Sequence, residues 1–176
     1  LQQRLARAQG HLWVHGPAGC GKTTAMAQMV HGRRPQALWL RLDAMDRDAA
    51  VWFDRVTQLF CTDRASVGAS PLRYGPEHAH DLGRFARHFF RSLWSGWSAT
   101  RVWVLDDVHE LAAEAQEAVL PVLLQEAPEG LTVVLVGRSA PVAGTARAVA
   151  NRQLTIVGPQ ELRFSDAEAV ALFARE

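Results

Sequence analysis

Apolar residues along this chain form two kinds of segment that alternate. Short apolar runs, typical of strands covered on both faces, occur at residues 11–14, 37–42, 101–105, 131–137 and 154–157. Between them, apolar residues recur at helical spacing and predict helices at residues 25–30, 51–60, 81–94, 112–126 and 142–150. Strands that alternate with helices pair in parallel and carry helices on both faces. The pattern predicts an α/β protein with a five-stranded parallel sheet.

Polar residues near the segment ends refine these boundaries. Asp46 or Asp48 is expected to cap the helix that follows the second strand. Further helices are predicted for residues 1–8 and from the capping box at residues 165–168. Residues 61–78 show little periodicity and are predicted to form a loop.

The first strand runs into Gly16-Pro17-Ala18-Gly19-Cys20-Gly21-Lys22-Thr23-Thr24, which fits the phosphate-binding pattern G-x-x-x-x-G-K-S/T. Glycines at 16, 19 and 21 are expected to adopt positive φ, so that backbone N–H groups approach an anion. The Lys22 ammonium would bind the terminal phosphates, and the Thr23 hydroxyl would ligate Mg²⁺. A glycine-rich surface turn can match by chance. The preceding strand and the following helix are the context that nucleotide binding requires.

Two carboxylates, Asp106 and Asp107, follow the third apolar run. Ligands of open α/β sheets lie beyond the carboxyl ends of the strands. One acid there can bind Mg²⁺, and its neighbour can accept a proton from attacking water. On their own, two acids after a strand fit a helix N-cap or a turn equally well. The phosphate loop upstream favours the metal and water roles.

Arg138 follows the fourth strand, at the same edge of the predicted sheet. From that edge it could reach a γ-phosphate, where it would stabilise transition-state charge or report the nucleotide state. An ordinary surface arginine is the alternative.

Composition narrows the class of protein. A chain of 176 residues with 48% hydrophobic residues can bury a core, which predicts one domain. A net charge of +1 with interspersed signs provides no basic field for nucleic acid. Cys20 and Cys61 are too few for a disulfide framework, which favours a cytoplasmic setting. No apolar run approaches the ~18–20 residues of a membrane span.

With these residues in view, the chain resembles the ATPase module of STAND signal-transduction NTPases, and within them the MalT-like, LuxR-type bacterial transcription activators. The segments that carry the resemblance are residues 16–24, 39–43, 46–53, 102–109, 137–141 and 162–168. The doubled acid and the Arg-Ser-x-Pro after the fourth strand are more specific than the phosphate loop, which many families share.

The resemblance implies an ASCE, AAA+-like P-loop NTPase sheet, with the fourth strand between the loop strand and the Asp-Asp strand. It implies ATP or ADP bound at residues 16–24, with Mg²⁺ at Thr23 and Asp106. Asp107 would activate water, and Arg138 would be the sensor. Residues 1–164 would be the NTPase core, and residues 165–176 would begin a truncated helical lid.

In proteins of this kind, nucleotide exchange and slow ATP hydrolysis switch an off state to a self-associating on state. The resemblance therefore implies nucleotide and further copies of the protein as partners, and no membrane. DNA would be bound only through a helix-turn-helix domain outside this chain, which we expect to be part of a longer protein. Two alternatives remain on the same scaffold. One is a kinase of a small molecule, for which the arginine-rich helix at 81–94 is the only candidate lid. The other is an interaction module that binds ADP without hydrolysing it.

Overall fold

The computed structural model of the protein describes residues 10–31, 37–62 and 72–162. Its strands are β1 (His11–His15), β2 (Ala37–Arg41), β3 (Arg101–Asp106), β4 (Leu131–Gly137) and β5 (Leu154–Val157). They form one parallel sheet in the order β2-β3-β4-β1-β5. The predicted α/β fold is confirmed, and so is the position of β4 between the strand that precedes the loop and the strand that ends in the two acids.

The helices are α1 (Lys22–His31), α2 (Ala49–Thr62), α3 (Leu82–Leu93), α4 (Ala113–Glu126) and α5 (Ala146–Ala150). Short 3₁₀ helices cover Ala44–Arg47, Pro76–Asp81, Val108–Glu110 and Ala143–Thr145. Asp48 rather than Asp46 stands at the start of α2, where its Oδ1 accepts the Ala50 N–H at 2.8 Å. Asp81 caps α3 by accepting the Arg84 N–H at 2.9 Å.

The prediction of a loop throughout residues 61–78 is wrong at both ends. Thr62 still belongs to α2, and its hydroxyl donates to the Leu59 carbonyl at 2.9 Å. At the other end, Pro76 opens a 3₁₀ helix, as its fixed φ allows at a first helical position. Residues 63–71 lie outside the described residues. So do the helices predicted at 1–8 and from 165, and with them the proposed lid.

Side chains of the strands alternate between two layers, as the two-residue period of a strand requires. On β1, Trp13 joins one buried cluster, whereas Leu12 and Val14 join the other. We call the sheet side covered by α2, α3 and α4 the aromatic face, and the side covered by α1 the loop face. Fully buried rings on the aromatic face are those of Trp13, Trp52, Phe53, Phe60, Phe89, Phe90 and Trp103. The loop face is built from Leu12, Val14, Met26, Met29, Val102, Val104, Val134, Val136, Val157 and Leu162.

Candidate functional site

The phosphate loop, residues 16–24, connects β1 to α1 at the carboxyl edge of the sheet. Its first residue is tied to the neighbouring strand, because the Gly16 N–H donates to the Gly137 carbonyl at 3.3 Å. Gly19 and Gly21 have φ of +76° and +80°, the left-handed region that glycine tolerates. Positive φ was wrongly expected for Gly16. At Gly16 the constraint is space: a Cβ would lie 3.0 Å from the Cys20 sulfur, so the Cys20 side chain would have to shift to admit one.

Lys22 lies at the centre of the loop and is only 7% exposed. Its Nζ donates to the Gly16 carbonyl at 2.9 Å and to the Pro17 carbonyl at 2.8 Å, and the Cys20 sulfur lies 3.8 Å away. The outer side of the loop is open to solvent, with Pro17, Ala18, Gly19, Gly21, Thr23 and Thr24 all exposed. An anion can therefore reach the loop backbone from the solvent side, while the Lys22 ammonium lies on the buried side of the loop.

Thr23 and Asp106 are brought together although they are far apart in sequence. The Thr23 hydroxyl donates to the Asp106 carboxylate at 2.9 Å and 3.2 Å. Asp106 is 1% exposed, and this burial raises the pKa of its carboxyl, while the hydrogen bond from Thr23 opposes the rise. The Asp107 N–H also donates to Asp106, at 3.0 Å.

These two side chains suit a hard divalent cation. A hydroxyl and a buried carboxylate are oxygen ligands of the type that Mg²⁺ takes, usually one or two per protein, with waters and phosphates completing its shell. Within residues 10–31, 37–62 and 72–162 there is no group of three or more His, Cys, Asp or Glu residues that could hold a metal ion by itself. The donor set therefore fits a metal that arrives with a phosphate ligand, rather than one held in a cage of protein ligands.

Asp107 contacts the adjacent strand β2 rather than the loop. Its backbone is left-handed, with φ 61° and ψ 39°, which is uncommon for a residue other than glycine. Its Oδ2 accepts from Nε of Arg41, the last residue of β2, at 3.0 Å. Its Oδ1 lies 3.9 Å from Nδ1 of His109, and neither His109 ring nitrogen has a hydrogen-bond partner in the described part of the chain. Asp106 thus contacts the loop, whereas Asp107 is held at β2.

Arg138 is exposed and directly follows the strand residue that anchors the loop. The segment after β4 is fixed by Trp13, whose indole N–H donates to the Ser139 carbonyl at 3.1 Å. Among the residues that the structure describes, the Arg138 guanidinium has no hydrogen-bond or ion-pair partner. It is therefore placed at the site edge with its donors available.

Sequence reasoning missed two contributors to this site. Arg41 could have been found, because the carboxyl ends of neighbouring parallel strands meet and β2 ends in an arginine. The segment after β5 carried only a weak signal, the Gly158-Pro159 pair. It closes a turn in which the Glu161 carboxylate accepts the Gly158 N–H at 3.1 Å. Pro159 and Leu162 then lie over Gly16, 3.6 Å from the position of a Cβ there.

No helix within the described ranges is long and apolar enough to cross a membrane.

Comparisons with known proteins agree with this geometry. Residues 4–141 match a family model described as AAA domain. The chain is 30% identical over 163 residues to the HTH-type transcriptional regulator MalT of Serratia proteamaculans (strain 568). It is 28% identical over 163 residues to the protein of the same name in Yersinia pestis (strain Pestoides F). Both alignments cover 91% of this chain and 18% of the relative, so the chain spans about a fifth of the length of these relatives.

A solved structure shares the fold. The ORC1 protein of Aeropyrum pernix, solved in complex with DNA, superposes with a TM-score of 0.57 over 99% of this chain and 47% of that one. The two sequences are 14% identical, so this likeness concerns the fold alone.

Proposed function

This chain belongs to the AAA domain family, and from that premise we propose that it is the ATP- and ADP-binding switch domain of a MalT-like transcriptional regulator, with slow Mg²⁺-dependent ATP hydrolysis. The observation that carries the proposal is the contact between Thr23 of the loop and Asp106 of β3. It joins a phosphate-binding segment to a buried carboxylate in an arrangement suited to a metal-bound nucleotide.

In this proposal each part of the loop has a separate task. The amides of residues 16–24 bind the phosphate oxygens, together with the positive amino end of α1. Lys22 exchanges its carbonyl partners for the terminal phosphates. Thr23 and Asp106 would hold Mg²⁺, which when bound neutralises charge on the phosphates.

Asp107 is proposed to accept the proton of the attacking water, and Arg138 to contact the γ-phosphate. The pairing of Asp107 with Arg41 bears directly on the rate. As long as Oδ2 accepts from Arg41, the carboxylate is held at β2 and only Oδ1 remains to take a proton from water. Slow turnover is the expected consequence, as suits a switch rather than a metabolic enzyme.

The same ion pair favours one alternative, an interaction module that binds ADP without hydrolysis because Asp107 stays at β2. The kinase alternative gains no comparable support. Of the arginines on α3, Arg91 is committed to Glu126 through hydrogen bonds of 2.7 Å and 3.0 Å, and Arg87 lies 3.6 Å from the same carboxylate. Self-association in the ATP state, and DNA binding by a domain outside this chain, belong to the proposal through the similarity to the MalT regulators.

Calorimetric titration with ADP and with ATP, in the presence of Mg²⁺, tests the proposal. Lys22→Ala should weaken binding by about 1.5–3 kcal/mol, the usual value of a hydrogen bond to a charged group. Asp107→Asn should retain binding and lose ATP turnover. Equal loss of binding in the two variants, or unchanged turnover in Asp107→Asn, would contradict the assigned roles. Turnover absent from the wild type would favour the ADP-binding module.

A further inference from the structure

A second charged cluster lies beside the candidate site, in the turn that follows β2. Asp46 is 1% exposed, and its Oδ2 accepts the Asp43 N–H at 2.8 Å. The Asp43 carboxylate in turn accepts the Met45 N–H at 2.8 Å. These reciprocal bonds form a capping box over the 3₁₀ helix Ala44–Arg47 and fix the shape of the turn.

Arg55 of α2 joins this turn to the end of β2. Its Nη1 pairs with the buried Asp46 and lies 3.3 Å from Asp43 Oδ2. Its Nη2 donates to the backbone carbonyl of Arg41 at 2.9 Å. A guanidinium presents these donors in one rigid plane, so anchoring one branch on a buried carboxylate fixes the other branch. Arg55 therefore holds the backbone of the residue whose side chain binds Asp107.

The Arg41 side chain needs such support. It is 75% exposed, and an exposed ion pair gains little when two long side chains must be ordered for it. The peptide unit after Arg41 is held on one side by the Leu42 N–H bond to the Asp106 carbonyl, at 2.9 Å, and on the other side by Arg55. Holding it on both sides reduces the number of conformers in which Nε misses Asp107. The second branch of Arg55 is not required to neutralise Asp46, because the first branch already does so.

We propose that Arg55 is a positioning residue for the Arg41–Asp107 ion pair, and that the turn after β2 thereby limits how often Asp107 is free to activate water. The regulatory part of this inference rests on the proposed function. The positioning part concerns only contacts within this chain, so the two can fail separately.

The test variant is Arg55→Lys, which keeps a positive charge beside the buried Asp46 but lacks a second branch to reach Arg41. The readout is the Arg41 Nε–H resonance in nitrogen-15 NMR spectra of the chain, assigned by its disappearance in Arg41→Lys. The hydrogen-bonded reference is the wild type, and the free reference is Asp107→Gly, which removes the acceptor and tolerates the left-handed backbone at this position. Arg47→Lys is the matched control, because Arg47 belongs to the same turn but pairs with Glu110, at 3.5 Å.

We expect Arg55→Lys to move the Arg41 resonance more than halfway to its position in Asp107→Gly, and Arg47→Lys to leave it in place. An unmoved resonance in Arg55→Lys, or an equal movement in Arg47→Lys, overturns the positioning role. If Arg55→Lys does not fold, the double variant Asp46→Asn with Arg55→Gln replaces the buried ion pair by two neutral amides. The same resonance criteria then apply.

ATP turnover tests the regulatory part. Arg55→Lys and Arg41→Gln should each raise kcat about two- to fivefold, the range expected when an exposed ion pair is lost, with KM unchanged. Combining them should give no further rise, since both act through the same contact. A moved resonance with unchanged turnover overturns the regulatory part, provided that Asp107→Asn abolishes turnover. Full turnover in Asp107→Asn would instead mean that the proposed function fails, and the resonance would still decide the role of Arg55.

Discussion

The two faces of the sheet differ in the side chains that cover them. On the aromatic face, rings from α2, α3 and β3 meet edge to face, with centroids 4.7 Å apart for Phe53 and Phe89 and 4.8 Å apart for Phe60 and Trp103. On the loop face, the fully buried cluster within the described residues consists of aliphatic side chains and the methionines of α1, and one partly buried ring, that of Trp39, packs against it. Rigid rings pack in few ways, whereas methionine adapts to its surroundings.

Ionisable side chains at strand ends occur on both faces, and one on each allows a comparison. On β1, His11 lies in the same alternation as Trp13 and so belongs to the aromatic face, at the amino edge of the sheet. On β3, Asp106 lies in the same alternation as Val104 and belongs to the loop face, at the carboxyl edge. From this difference we expect support and the proposed nucleotide binding to be assigned to opposite faces, which would make them separable by mutation.

The largest expected effect is a loss of stability on the aromatic face. Phe89 is fully buried among Phe53, Phe85 and Phe90. Phe89→Ala should lower the free energy of unfolding by about 3–5 kcal/mol, because it removes a ring and leaves a cavity. Urea unfolding measures this loss, and titration below the unfolding range should show an unchanged affinity for ADP. A parallel loss of affinity would show that the faces are not separable.

A substitution in the core of the loop face should cost less stability, but it should also weaken nucleotide binding. Met26 is 0% exposed and lies on α1, one turn beyond Lys22 and Thr23. Met26→Ala should cost about 2–3 kcal/mol, the lower part of the range for buried methionine, because neighbouring flexible side chains can fill part of the space. It should also weaken ADP binding, since α1 carries the end of the loop. Unchanged affinity would mean that β1, and not α1, determines the conformation of the loop.

Most of the fold could be predicted because its signals are local. The apolar runs of β1 to β5 and the helical spacing of α2 to α4 are read directly from the chain, and the resemblance supplied the strand order. Prediction failed where tertiary contacts decide the boundary. α2 continues to Thr62, beyond the fully buried Phe60, and Ala143–Thr145 form a 3₁₀ helix before α5 begins.

The positions of the candidate site residues could be predicted from the sequence, but most of their contacts could not. The loop, Asp106 and Arg138 follow from motif and position, and the structure places them at one edge of the sheet. Which neighbour each acid contacts depends on strand order and on the left-handed backbone of Asp107, and neither is encoded in the spacing of two aspartates. The same is true of Arg55, which acts through the Arg41 carbonyl and shows no motif of its own.

Asp106→Asn should separate stability from ligand binding within the loop face. Burial raises the pKa of Asp106 above its ordinary value of 3.8, so the ionised form is disfavoured in the folded state. As pH rises above 3.8 the unfolded chain ionises first, and the native state loses stability until the folded pKa is passed. Asp106→Asn removes this cost. We expect its unfolding free energy, relative to wild type, to be higher at pH 7 than at pH 4, while Mg²⁺-dependent nucleotide binding is lost. If Asp106→Asn is instead less stable than wild type at pH 7, the contacts of the carboxylate compensate for the cost of burying its ionised form.

The smallest expected change in stability concerns His11, an ionisable residue of the aromatic face. Its Nδ1 accepts the Val133 N–H at 3.1 Å, which requires a neutral ring, and burial lowers its pKa below the ordinary 6.5. Below pH 6.5 the unfolded chain binds a proton first, so stability should fall until the folded pKa is reached, by at most about 1.4 kcal/mol per pH unit.

His11→Asn keeps an acceptor near the position of Nδ1 but does not titrate. Thermal unfolding at pH 7.5, 6.5 and 5.5 should therefore show a shallower decline in the variant. The other histidines are the same in both proteins, so equal declines would mean that the aromatic face admits the charged ring. Intolerance of charge would then not be what distinguishes this face from the loop face.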